Sequence, residues 1–194
     1  SPNDLAINRK GSIYFTDPRY AGDEPREIDF EGVFSVDRDG SVKLATKEVQ
    51  KPNGILVSLD GKNVYVADNN NNSKGHHHLL QFTVKKDGTL GGKKVLFDLG
   101  PDRRGIDGMT LDGKGNIYAT AGKGARAGIY VFSSTGTNLA FIPTPGSPTN
   151  CVFGGGKEKS MLYITAQSAP QSDGSKPWGL FRIRLKIAGH HIFE

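Results

Sequence analysis

Cysteine is almost missing. Cys151 is the only one in 194 residues, so no disulfide can form within the chain. It stands in the apolar run Cys151-Val152-Phe153 and reads as a small buried side chain rather than a nucleophile. No apolar run approaches the roughly 20 residues that a membrane helix needs, so no membrane partner is expected. A Gly-x-Ser-x-Gly elbow is absent, and nothing marks a Ser-His-Asp triad. Gly122-Lys123-Gly124-Ala125-Arg126-Ala127-Gly128 lacks the Gly-Lys-Ser/Thr ending of a phosphate loop and precedes no helical pattern, so it reads as a hairpin connection. Sustained helical periodicity is lacking throughout. The chain opens at Ser1 with neither an initiating Met nor a leader-like segment, and no compartment is assigned from it.

Charge of one sign is not concentrated either. The formal net charge is +5, but the basic residues fall in scattered pairs such as Lys85-Lys86 and Lys93-Lys94. A nucleic-acid face would gather them on one element with aromatics between, so no nucleic-acid partner is expected.

What is plentiful is glycine, 26 residues at scattered intervals with 10 prolines, the mark of many short strands joined by tight turns. The strands repeat. Ile13-Tyr14-Phe15, Val64-Tyr65-Val66, Ile117-Tyr118-Ala119 and Leu162-Tyr163-Ile164 share one pattern, and their tyrosines lie 51, 53 and 45 residues apart. That period is one four-stranded propeller blade. An apolar strand precedes each copy, as in Leu5-Ala6-Ile7 and Ile55-Leu56-Val57, and an alternating strand follows, as in Leu80-Gln81-Phe82-Thr83-Val84. Asp39-Gly40 and Asp87-Gly88 supply hairpin turns. The expected architecture is an all-β propeller with four blades, in a single domain over residues 1–194.

The residues opening the four inner strands are Asn3, Asn53, Asp107 and Asn150, which precede the repeat tyrosines by 11, 12, 11 and 13 residues. This spacing predicts one shared structural slot, and a propeller gathers such slots at one mouth of its central channel. Three carboxamides and one carboxylate form an all-oxygen set, which suits calcium, magnesium or manganese better than structural zinc. Taken singly, Asn and Asp before Gly are also ordinary turn residues. Arg19 and Tyr20, on the loop after Asp17-Pro18, are candidate substrate contacts if that loop reaches the same mouth. His76-His77-His78 cannot all turn to one ion from an extended strand, because alternate side chains point apart.

Ser1-Pro2-Asn3-Asp4-Leu5, Tyr14-Phe15-Thr16-Asp17-Pro18, Lys51-Pro52-Asn53-Gly54-Ile55, Asp107-Gly108-Met109-Thr110 and Thr149-Asn150-Cys151-Val152-Phe153-Gly154-Gly155 occur in an order that resembles the SMP-30/gluconolactonase/regucalcin family. The resemblance implies a six-bladed propeller with one divalent cation, usually Ca2+ with Zn2+, Mg2+ or Mn2+ as alternatives, and hydrolysis of sugar lactones or related esters. By the same resemblance Asn53 and Asp107 match metal ligands. Asn3 matches a residue that touches substrate and lies near or on the metal, Asp4 accompanies it in the pocket, and Asn150 lies among the substrate contacts. Asp107 is then ligand first and general base second, with Asn3 beside it in the reaction. The family's remaining protein ligand, a first-blade Glu, has no counterpart in this sequence. A six-bladed ring at this period needs roughly 290 residues, so about two blades carrying that Glu are expected before Ser1, in a preceding segment or a separate chain. Other outcomes on the same fold are a non-enzymatic binding propeller or a metal-dependent esterase or organophosphate hydrolase.

Overall fold

The computed structural model describes residues 1–22, 25–72, 74–101 and 104–192. Its strands form four antiparallel meanders in chain order. The first holds β1 (Leu5–Ile7), β2 (Ile13–Asp17), β3 (Gly32–Val36) and β4 (Val42–Thr46). The second holds β5 (Pro52–Val57), β6 (Asn63–Asn69), β7 (His77–Val84) and β8 (Leu90–Asp98). The third holds β9 (Met109–Leu111), β10 (Ile117–Ala121), β11 (Gly128–Phe132) and β12 (Asn138–Pro143). The fourth has three strands, β13 (Pro148–Phe153), β14 (Met161–Gln167) and β15 (Trp178–Arg184). Residues 122–128 do form a hairpin connection, with one 3-10 turn at Gly124–Arg126.

The sheets stack face to face like propeller blades. Inner strand β5 packs between β1 and β9, and β13 packs against β9. Each interface is apolar because both sheet faces carry aliphatic and aromatic residues. Tyr14, Val33 and Ala45 of the first sheet meet Ile55, Val64, Val66, Leu80 and Phe82 of the second. Tyr65, Ala67 and Leu79 meet Met109, Leu111, Ile117, Ala119 and Phe132. Tyr118, Ile129 and Val131 meet Cys151, Phe153, Leu162 and Ile164. Full burial pushes the Cys151 thiol up to about 12, which leaves it an inert core group as expected.

In the first three blades the repeat tyrosine packs forward onto the next blade. Tyr14 even donates its hydroxyl to the Gly88 carbonyl of the second sheet (2.9 Å). Tyr163 points the same way from the last sheet, with no blade of this chain in front of it, and is only half-buried. On that outward face Val152, Trp178 and Leu180 are exposed at 57, 60 and 69%. The opposite end is similar, with Leu5 at 58% and Val42 at 61% on the first sheet. A tail beyond β15 folds back beneath the third sheet, where the His190 amide donates to the Leu111 carbonyl (2.9 Å).

Candidate active site at the inner-strand rim

The leading ends of β1, β5, β9 and β13 are locked to one another by polar contacts that run from blade to blade. Asp4 Oδ2 accepts the Ile55 amide (3.2 Å), and Thr16 Oγ1 donates to the Asn53 carbonyl (2.8 Å). Thr120 repeats the second bond between the third and fourth blades, donating to Thr149 O (3.1 Å). The approach is close enough to require glycine. A Cβ on Gly54 would lie 2.2 Å from the Asp107 carbonyl oxygen, and one on Gly108 would lie 2.3 Å from Asn150 Oδ1. Neither glycine has positive φ. These Asn-Gly and Asp-Gly pairs therefore serve backbone approach at the rim rather than left-handed turns.

The ladder corrects one part of the expected register. Asn3 and Asp107 both donate their amides to the Tyr-plus-two threonine, Thr16 O and Thr120 O (2.9 Å each). Counting from the paired residues Ile7, Val57, Leu111 and Phe153 puts Asn3, Asn53 and Asp107 in one slot, as expected, but the fourth occupant is Thr149. Asn150 sits in the slot of Asp4. Both accept the next residue's amide on Oδ1 at 2.8 Å, and both donate their own amide to a threonine Oγ1 at 3.1 Å (Thr16 or Thr165). The cause is the longer β13–β14 connection, which contains a 3-10 turn at Gly156–Glu158 and spoils counting back from the tyrosine.

Around this rim Asn53 is buried, and its carboxamide works to lower the pKa of both Asp107 and Tyr20. Burial raises the Asp107 carboxyl above its ordinary value, against the lowering effects of Arg104 and Asn53. Asp4 is raised too, by burial first and by the Asp107 charge last, while its amide bonds to Leu5 and Ile55 pull the other way. Tyr20 reaches inward with its hydroxyl donating to Lys51 O (3.2 Å) and Asn69 O (3.3 Å), and Lys51 Nζ stands 5.4 Å from its ring centre. Desolvation holds its phenol protonated well above the ordinary range.

Asp4, Asn53, Asp107 and Tyr20 thus converge. Asn3 and Arg19 instead line an adjoining cavity of about 580 Å³ on the first blade, with Asp17, Tyr20, Arg26 and Glu31. Arg19 folds onto its own loop there, Nε donating to Gly22 O at 3.0 Å. Asn150 packs on Gly108 at the far side of the rim. As extended geometry requires, His77 turns away from its neighbours and bonds Gly100 O through Nδ1 (3.0 Å), while His76 and His78 stack at 4.4 Å.

Three rim residues escaped sequence reading. Thr16 and Thr120 were legible in principle, since Thr follows the repeat tyrosine by two in three blades. Arg104, whose Nη2 pairs with Asp107 Oδ2, carried no signal beyond lying three residues earlier.

Among the described residues no three His, Cys, Asp or Glu side chains gather as an ion-holding group. A cation here would rest on Asp107 and the carboxamide of Asn53, with Asn3 at its edge facing the adjoining cavity. That all-oxygen set fits a hard divalent ion, which would share the Asp107 carboxylate with the Arg104 guanidinium.

Comparison with known proteins shows what the chain resembles as a whole. The profile described as SMP-30/Gluconolactonase/LRE-like region matches residues 1–168. A gluconolactonase of Zymomonas mobilis is 32% identical over 181 residues, spanning 86% of this chain and 48% of its own. Human regucalcin is 30% identical over 157 residues, 77% of this chain and 47% of its own. The solved structure of a gluconolactonase from Xanthomonas campestris superposes with a TM-score of 0.73 at 29% identity, covering 94% of this chain and 57% of that one. The chain spans about half the length of these relatives.

Proposed function

The chain belongs to the SMP-30/gluconolactonase/LRE-like family, and from that premise we propose that its rim is the active site of a divalent-cation-dependent sugar lactonase. The observation that carries this reading is the interlocking of three inner-strand ends, where Asp4 accepts the Ile55 amide, Thr16 donates to the Asn53 carbonyl and Gly54 abuts the Asp107 carbonyl. Asp107 and Asn53 would hold the ion, with Asn3 at its edge. When bound, the cation supplies Lewis-acid polarisation of the lactone carbonyl.

The chain's own residues then have separable tasks. Asp4 spends both carboxylate oxygens on the Leu5 and Ile55 amides, so it braces the first blade against the second and is not the base. Asp107 is ligand first, and as the rim carboxylate not bonded to backbone amides it is also the candidate base for the attacking water. Water adds to the carbonyl carbon, the ring C–O bond breaks, and the departing oxygen takes up the proton to give the hydroxy acid. Tyr20 stays protonated and walls the site beside Asn53. Asn3 and Arg19 face the cavity in which sugar hydroxyls would lie, and Asn150 closes the opposite rim.

The same reading extends to a six-bladed ring of which these are four blades. It is supported by the relatives' greater length and by apolar faces left uncovered on the first and last sheets. A preceding segment or separate chain would supply the other blades and the family's Glu.

The decisive experiment assays gluconolactone hydrolysis by the protein with Ca2+, after EDTA, and as Asp107→Asn. Chelation and the substitution should each lower kcat/KM by about 100-fold or more. Activity that survives both within a few-fold would overturn the lactonase mechanism. A bound cation without turnover would point to a binding propeller instead.

A further inference from the structure

We infer that Arg104 is a built-in competitor for the cation at the rim, sharing the Asp107 carboxylate and offsetting one of the two negative charges gathered there. This rests on the reading of the rim as a cation site and concerns how tightly that site binds.

The geometry leaves Arg104 little choice of partner. Its backbone is pinned by the Gly122 amide, which donates to Arg104 O (2.9 Å). The next residue, Gly105, lies so close to Asn69 that a Cβ would come within 2.5 Å of Asn69 Oδ1. From this fixed base the guanidinium splits its donors. Nη1 bonds the Pro148 carbonyl at the start of the fourth blade (2.7 Å), and Nη2 pairs with Asp107 Oδ2. The fork therefore bridges two blades with the carboxylate in its grip. The side chains of Arg104 and Asp107 are only 25% and 23% exposed, so solvent screens the pair weakly.

Charge at the rim then decides the affinity. Asp4 and Asp107 feel each other's charge, and Arg104 is the cation in contact with Asp107. Asp4 is held by backbone amides instead. Asp4, Asp107 and Arg104 together present a single net negative charge to a divalent ion. Affinity of oxygen-ligand sites follows the count of ligand charges, and a fixed positive group on the ligating carboxylate works against it. The guanidinium cannot lose its proton, so this opposition persists at every physiological pH.

The test is calorimetric titration of CaCl2 into the whole protein, with no turnover involved. Arg104→Gln, which removes the charge but keeps an amide donor, should bind Ca2+ about 10-fold tighter than wild type or better. Arg104→Lys keeps the charge and should stay within about three-fold of wild type. Asp107→Asn should lose binding. Tightening by Gln but not Lys identifies the charge as the cause. Equal or weaker binding by Arg104→Gln, with Asp107→Asn still inactive for Ca2+, would make Arg104 a strut and overturn the inference while the cation site stands. Binding by Asp107→Asn at wild-type strength would remove the cation site and the inference together. If Arg104→Gln fails to fold, Arg104→Met puts the same question, with tighter binding again expected and unchanged or weaker binding again fatal.

Discussion

The two middle blades and the two end blades are built from similar sequence and live in different surroundings. Strands β10 and β11 are buried along their whole length, and β6 along all but its first residue. In β15 burial alternates and then fails, although Trp178, Leu180, Phe181 and Ile183 are as apolar as anything in the middle. A strand covered on both faces gains nothing from polar alternation, and so the middle strands read as continuous Val-Tyr-Val-Ala or Ile-Tyr-Ala. The end blades carry the same two-faced composition without a cover on one side. Their composition is that of blades meant to be enclosed.

The largest test of this contrast is Phe132→Ala against Phe181→Ala. Phe132 is fully buried between the second and third sheets, 4.8 Å from Phe97 and stacked on Tyr130. Its loss should cost about 3–5 kcal/mol. Phe181 packs only at the edge of the third interface and should cost less than half as much. Urea denaturation midpoints of the two variants check this, and equal losses would erase the distinction between middle and end blades.

A smaller effect asks whether the end face is truly bare. If a further blade covers it in the whole protein, Leu180→Lys buries an unpaired ammonium and should lower stability by about 2 kcal/mol or more. On a face open to water the same change should stay within about 0.5 kcal/mol. A neutral result, read from thermal melts of wild type and variant, would remove the main structural support for a six-bladed ring.

Much of this was legible beforehand because propeller repetition writes the same residues at the same places. Tyr14, Tyr65, Tyr118 and Tyr163 fixed the period, and Asn3, Asn53 and Asp107 fell in one slot as expected. Counting failed where a turn changed length: the longer β13–β14 connection displaced Asn150 into the slot of Asp4 and left Thr149 beside the other three. Asn53-Gly54 and Asp107-Gly108 have the composition of turns, and only the close passage of the Asp107 carbonyl and the Asn150 side chain shows why glycine is needed. Arg104 was invisible for a different reason. A guanidinium on a loop pairs with whatever the fold brings near, and the Pro148 carbonyl that completes its setting lies 44 residues away.

The smallest expected effect shows that enclosure has a cost within the second blade itself. His78 faces Asp68 across β6 and Asp98 across β8, with the His76 ring stacked on it. Desolvation lowers its pKa first. Asp98 and Asp68 push the other way, and His76 and Lys93 add to the lowering. The folded state therefore binds a proton less readily than the unfolded chain, whose imidazole titrates near 6.5. Above that pH both states are neutral at this site and nothing is lost. As pH falls below 6.5 the unfolded chain takes up the proton first, so stability declines until the folded-state pKa is passed and then levels off. His78→Gln removes the titration and should flatten this part of the stability–pH curve while leaving the midpoint at pH 7.5 nearly unchanged. Urea midpoints at pH 7.5, 6.5 and 5.5 for both proteins decide the matter. Parallel curves would mean that the Asp68 and Asp98 charges fully compensate the desolvation of His78.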